Sequence, residues 1–153
     1  MASTTTASGY AAPVSANASQ DALALIGRIL IAALFIPAGF GKIGGFAGVV
    51  GYISAVGLPL PQLGAAIAII VELGLGLLLL VGYKTRIVSI VLAVFTVATA
   101  VLFHNYWGMP ADKAYVNQLM FFKNIAIAGG LLAFAAFGAG RFSRVLDGAA
   151  LDL

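Results

Sequence analysis

Four long apolar runs dominate this 153-residue chain. They extend over about Ala22 to Gly41, Gln62 to Val81, Ile87 to Phe103 and Val116 to Phe137. Each is roughly 17–22 residues long, enough for an α-helix to cross ~30 Å of hydrocarbon at ~1.5 Å per residue. A backbone in lipid finds no water, so its hydrogen bonds must close within a helix or a sealed barrel. Barrel strands alternate apolar and polar residues, and none of the four runs does so. The pattern therefore predicts an all-α membrane protein, with four transmembrane helices in an antiparallel four-helix bundle. Composition agrees. Charged residues make up 8% of the chain, against roughly 25% in an average soluble domain. So few charges cannot clothe a water-facing surface, which excludes a soluble enzyme, a disordered chain and a second, soluble domain.

The links between the runs predict how the helices are arranged. The first, Lys42 to Pro61, contains Gly44, Gly45, Gly57, Pro59 and Pro61 around an apolar centre, Phe46-Ala47-Gly48-Val49-Val50-Gly51-Tyr52-Ile53. Its apolarity predicts a short interfacial helix between helices one and two. The second, Gly82 to Arg86, is tight and makes helices two and three antiparallel neighbours. The third, His104 to Tyr115, carries Tyr106 and Trp107, rings that favour the headgroup level. Residues 1–20, rich in Ala, Ser and Thr and without charge, read as a disordered tail. The bundle is expected over 21–142, with a C-terminal tail over 143–153.

Counts of single residue types limit the chemistry. The chain has no cysteine, which removes disulfides, iron–sulfur clusters and thiolate-held metals. Its one histidine, His104, cannot supply two axial ligands to a haem or build a multi-histidine metal site. No metal site and no covalent cofactor are expected. The basic residues are scattered, so the net charge of +3 speaks for membrane topology and against nucleic acid.

The ionisable residues inside the apolar runs are the informative ones. An Arg, Lys or Asp at mid-helix costs about 2.5–3.5 kcal/mol to insert, and such residues face the bundle interior and pair or serve function. Here they are Arg28, Glu72 and Lys123, with Lys42 and His104 near run ends. Measured from the start of its own run, Glu72 lies roughly 15 Å deep, Lys123 roughly 10 Å from the same side and Arg28 roughly 9 Å from the opposite side. That places Glu72 within reach of Arg28 or Lys123, which are the expected partners. Lys42, at a helix end, reads as an anchor whose ammonium reaches the interface. Gly64, Ala68, Glu72 and Gly76 recur every four residues, a stripe of small residues that admits a close neighbour. Pro37 is expected to kink helix one. Buried charge pairs also serve simply to specify which helices pack together, and His104 beside Tyr106 and Trp107 is an ordinary belt residue on its own. The functional reading rests on polar groups converging from several helices.

A set of motifs occurs in order along the chain. Helix one reads Gly27-Arg28, then Phe35-Ile36-Pro37-Ala38-Gly39-Phe40-Gly41-Lys42. Gly57-Leu58-Pro59-Leu60-Pro61, Glu72-Leu73-Gly74-Leu75-Gly76, Gly82 and Thr85-Arg86 follow. Phe103-His104, Trp107, Gln118 to Asn124 and Gly138 to Ser143 complete it. This ordered set resembles the DoxX family of small four-span bacterial membrane proteins. The resemblance implies a bacterial inner (cytoplasmic) membrane location. For some members it also implies service as the membrane subunit of a thiosulfate:quinone oxidoreductase, and for others association with redox and thiol-stress enzymes. The family's ionisable pattern maps onto Arg28, Lys42, Glu72, His104, Lys123 and Asn124. From these residues the leading expectation is a quinone-linked redox subunit. Glu72 would carry a proton, His104 would relay it, and Arg28, Lys42, Lys123 and Asn124 would bind a quinone or small anionic ligand. Such a chain needs a soluble or membrane partner protein to supply electrons, and a homo-oligomer is compatible with it. Proton-coupled transport of an anion or acid, and a structural anchor or assembly subunit, are the alternatives.

Four spans put both termini on one side. That side receives Lys84, Arg86, Arg141 and Arg144, while the other receives Lys42 and Lys113. Cytoplasmic loops are the Lys- and Arg-rich ones, so both termini are expected in the cytoplasm. Protease added to sealed, right-side-out spheroplasts should leave the C-terminal tail intact, and its cleavage from outside would reverse the topology.

Overall fold

The computed structural model describes residues 18–143. The two expected tails lie outside the described residues, apart from positions 18–20 and 143. Five helices follow one another: α1 (Ala18–Gly44), α2 (Phe46–Ala55), α3 (Pro61–Val81), α4 (Thr85–Phe103) and α5 (Ala111–Phe137), with a 3₁₀ turn at Tyr106–Gly108. Helices α1, α3, α4 and α5 are long and apolar enough to cross a membrane, and α2 is the short apolar helix expected in the first link. No strand occurs among the described residues.

Local chemistry explains the boundaries. Pro61 opens α3, where its missing N–H costs no hydrogen bond. Gly82, at φ +77°, ends the same helix. Its N–H donates to the Leu79 carbonyl at 3.1 Å and that of Tyr83 to the Leu78 carbonyl at 3.0 Å, a Schellman closure that needs a left-handed residue at this point. Helix α1 continues through Pro37 to Gly44. Asp21 and Asp112 occupy the first turns of α1 and α5, where the helix dipole favours negative charge.

Packing follows two antiparallel pairs, α1 on α3 and α4 on α5, with α3 and α4 joined by the tight turn at Gly82. Phe35, Leu79, Val88, Leu92, Ala93, Ala128 and Leu131 form the buried apolar cluster. Large apolar side chains also cover the outside, among them Leu23, Leu30, Ile87, Val94, Leu132 and Phe137. In water such a surface would aggregate, and in a bilayer it is the lipid-facing coat.

The α1–α3 contact is the tightest. Gly39 lies so close to α3 that an added Cβ would sit 2.8 Å from the backbone nitrogen and from the Cβ of Leu73. At Gly76 a Cβ would come within 3.2 Å of Phe35 and Ile36. Opposite Gly39, α3 widens into a π-helical segment at Ile70–Leu75. A π turn inserts an extra residue into the helical ladder, and such turns concentrate at functional positions. This one contains Glu72.

At the end of the bundle where α1 begins and α5 ends, the chain after α5 is tied to α1. The Arg141 backbone N–H donates to Asp21 Oδ1 at 2.8 Å. Arg28, fully buried, donates to the Leu80 carbonyl at 3.3 Å and to the Phe142 carbonyl. Its guanidinium lies against Gly82, leaving no room there for a Cβ.

Replacing Gly39 by Ala should lower the unfolding midpoint in detergent by the equivalent of about 1–3 kcal/mol, the usual cost of overpacking a tight contact. At Gly74 an added Cβ meets nothing within 4 Å, so Gly74→Ala should leave the midpoint unchanged or raise it slightly.

Candidate functional site

A cavity of about 530 Å³ opens in the half of the bundle where α1 and α4 end. Small-molecule sites typically span ~300–1,000 Å³. All five helices contribute. Helix α1 supplies Leu34, Phe35, Ala38 and Lys42, and α3 supplies Gly64, Ala68 and Glu72. Helix α4 and its end supply Phe95, Thr96, Thr99, Phe103 and His104, while α5 supplies Lys123 and Asn124. Helix α2 and the following link cover the space with Val49, Tyr52, Ile53, Leu58 and Pro59.

The sequence explains why space exists here. The stripe Gly64, Ala68, Glu72 and Gly76 splits its work along α3. Gly76 packs directly on α1, and Gly64 and Ala68 leave room above. Ile53 closes over Gly64, within 3.3 Å of where a Cβ would stand. Tyr52 holds α2 in place. Its ring stacks on Phe103 at 5.4 Å, and its hydroxyl donates at 3.3 Å to the Phe103 carbonyl. Phe103 is the last residue of α4, so its carbonyl lacks an intrahelical donor.

Lys42 and Glu72 form the polar centre, with Nζ and Oε2 2.6 Å apart. The Lys42 side chain is 28% exposed and that of Glu72 11%, so the pair lies at the edge of the cavity with the carboxylate the deeper member. The expected partner was Arg28 or Lys123, and the geometry corrects this. Depths counted from the start of each apolar run assume that all runs start level. In the structure Gly39 stands opposite Leu73, and Phe35 and Ile36 stand opposite Gly76. The last turns of α1 therefore face the middle of α3, which brings Lys42 to Glu72. Arg28 lies level with Leu80 and Gly82, eight residues or about 12 Å along α3 from Glu72.

Of the six residues singled out in the sequence, five line this one cavity: Lys42, Glu72, His104, Lys123 and Asn124. Arg28 does not. His104 Nδ1 lies 3.4 Å from Asn117 Oδ1, and Asn117 Nδ2 donates to the Lys113 carbonyl at 3.0 Å, so the imidazole is held at the mouth by α5. Lys123 Nζ contacts Met120 Sδ at 3.2 Å. Thr96 and Thr99 bond back to carbonyls of their own helix, at 2.7 and 2.9 Å. These threonines and Tyr52 escape a search for ionisable residues in apolar runs, because they carry no charge. The only signal for Tyr52 is its place in the apolar link. No group of three or more His, Asp or Glu side chains placed to hold a metal ion exists among the described residues.

Chemically, the cavity offers a short ion pair, an amide, an imidazole and a second ammonium within largely apolar walls. A ligand with a polar head and an apolar body matches that distribution.

Comparison with known proteins bears on location and kinship. The sequence profile of the DoxX family matches residues 23–105. Inner membrane protein YphA of Escherichia coli (strain K12) is 39% identical over 127 residues, which cover 83% of this chain and 91% of that protein. Inner membrane protein YqjF of the same organism is 43% identical over 124 residues, 81% of this chain and 90% of that one. A shorter match, 35% identical over 63 residues, covers 41% of this chain and 20% of the ER-derived vesicles protein ERV29 of Saccharomyces cerevisiae. No solved structure matches the chain.

Removing one member of the ion pair strands the other charge. Lys42→Met and Glu72→Gln should each lower stability in detergent by about 1–3 kcal/mol, below the range for a fully buried pair because Lys42 is partly exposed. The double variant Lys42→Met/Glu72→Met should recover most of that loss, as read by thermal unfolding.

Proposed function

This chain belongs to the DoxX family and is an integral inner-membrane protein, and from that premise we propose that it is the membrane subunit of a quinone-linked redox system, holding a quinone head group beside the Lys42–Glu72 pair. The observation that carries the reading is the cavity itself. It joins a polar edge to apolar walls within helices that span the membrane, the distribution that a quinone head with an isoprenoid tail requires.

Reduction of a quinone to a quinol takes two electrons and two protons. The chain has no cysteine and one histidine, so it lacks the ligands for a cluster or a bis-histidine haem. The electrons come in this reading from a docked partner protein. The protons pass one at a time through the Glu72 carboxyl, the deepest acid of the cavity. His104 at the mouth exchanges them with water, since an imidazole both donates and accepts a proton through its ring nitrogens. Lys42, 2.6 Å away, orients the carboxyl. Lys123 and Asn124 face the head group and stabilise negative charge as it develops on the ring oxygens. Arg28 stays outside this chemistry and fixes the far end of the bundle through carbonyls.

Native mass spectrometry of the protein extracted from membranes in mild detergent tests this directly. The wild type should carry a mass that matches a membrane quinone, and Glu72→Gln should fail to complement a deletion of the gene. Wild-type protein that retains no quinone, together with full complementation by Glu72→Gln, would overturn the proposal.

A further inference from the structure

The charges around the cavity do not balance. Lys42 and Glu72 neutralise each other at 2.6 Å. Lys123 also lines the space, yet no carboxylate lies within 4 Å of it among the described residues, where the ion pairs are Lys42–Glu72 and Arg141–Asp21. Its ammonium has three donors, and the contact it makes is to the thioether of Met120, a weak acceptor. With His104 neutral, the lining carries a formal charge of +1.

A lysine in this position is costly. It stands twelve residues into α5, about 18 Å from the start of that helix and roughly 10 Å from the start of its apolar run at Val116, and other side chains leave it exposed rather than packed in. An uncompensated Lys near the centre of a spanning helix costs about 2.5–3.5 kcal/mol on insertion. Asn124, the neighbouring lining residue, adds an amide donor on the same helix. Leu34, Phe35, Phe95 and Phe103 supply the apolar wall.

We infer that the cavity selects a lipophilic monoanion, a ligand with one acidic oxygen on an apolar ring or chain, and that Lys123 is the residue that selects for its charge. A cation is repelled. A neutral ligand leaves the ammonium without a counter-charge, and a dianion leaves a surplus negative charge in its place. A ring-borne enolate and a fatty carboxylate share the required chemistry. The inference rests on the reading of this cavity as a ligand site, and it specifies the charge of the ligand rather than its redox activity.

The test uses the full chain in nanodiscs of phosphatidylcholine, with empty discs to subtract partitioning and binding read by calorimetry. Two matched pairs serve as probes: 2-hydroxy-1,4-naphthoquinone, ionised at neutral pH, against its 2-methoxy ether, and octanoate against octanol. Each anion should bind about tenfold or more tighter than its neutral partner, the effect of one charge-assisted contact. Lys123→Gln should erase the preference by weakening the anions alone, and Lys123→Arg should keep it. Equal binding within both pairs, a preference that survives Lys123→Gln, or no binding by any probe overturns the inference. The two readings separate cleanly. Octanoate selected through Lys123, with neither naphthoquinone bound, defeats the quinone reading and upholds this one. Both naphthoquinones bound equally, with no effect of Lys123→Gln, does the reverse.

Discussion

A lysine and a glutamate drawn out of water can coexist only at short range. Their attraction grows as the dielectric falls, but so does the cost of stripping water from each. The Lys42–Glu72 contact at 2.6 Å meets that condition, and much of the surrounding geometry is what it takes to reach it. Helix α1 must lie almost against the backbone of α3, which Gly39 permits by having no side chain. Helix α3 is widened at Ile70–Leu75, and the carboxylate belongs to that widened turn. The cavity begins where this close contact ends, at Ala68 and Gly64, with α2 folded over it.

The two halves of the bundle solve the buried-charge problem differently. Where α1 begins and α5 ends, the interior is mostly packed apolar side chain, and the buried cation there among the described residues, Arg28, is held through both terminal nitrogens by backbone carbonyls, with its Nε left unpaired. One of them, Leu80, lies in the last turn of α3, where carbonyls lack intrahelical donors and the helix dipole favours positive charge. That arrangement holds α1, α3 and the chain after α5 together and leaves no room for a ligand. In the other half the polar groups face open space, and among the described residues Lys123 is not satisfied by any protein acceptor stronger than a thioether. A charge answered by the protein is architecture, whereas a charge left facing a cavity points to something that arrives from outside.

The spans were readable because the requirement that produces them is local. Each run had to be long, apolar and helical whatever its neighbours did. The short helix α2 was readable for the same reason, as an apolar stretch between glycines. The gathering of Lys42, Glu72, His104, Lys123 and Asn124 was legible as a set, since each stands out as polar against an apolar background. Their pairing was not. Lys42 looked like a helix-end anchor and Arg28 like a partner for Glu72, because counting residues along one helix says nothing about how far that helix slides past the next. Tyr52, Thr96 and Thr99 gave no comparable signal, being ordinary residues made part of the site by where α2 and α4 come to rest.

The amino-acid sequence by itself therefore determined the solvent, the number of spans, the antiparallel order and the short list of polar groups that lipid would exclude. Each of these follows from hydrophobicity and backbone hydrogen bonding over a single stretch of chain. Only the tertiary structure decided which charges neutralise each other, that Arg28 is an architectural residue, and that Lys123 is left facing a cavity. Those outcomes depend on the axial offset between α1 and α3, and that offset is set by the meeting of Gly39 and Gly76 with side chains and backbone more than thirty residues away.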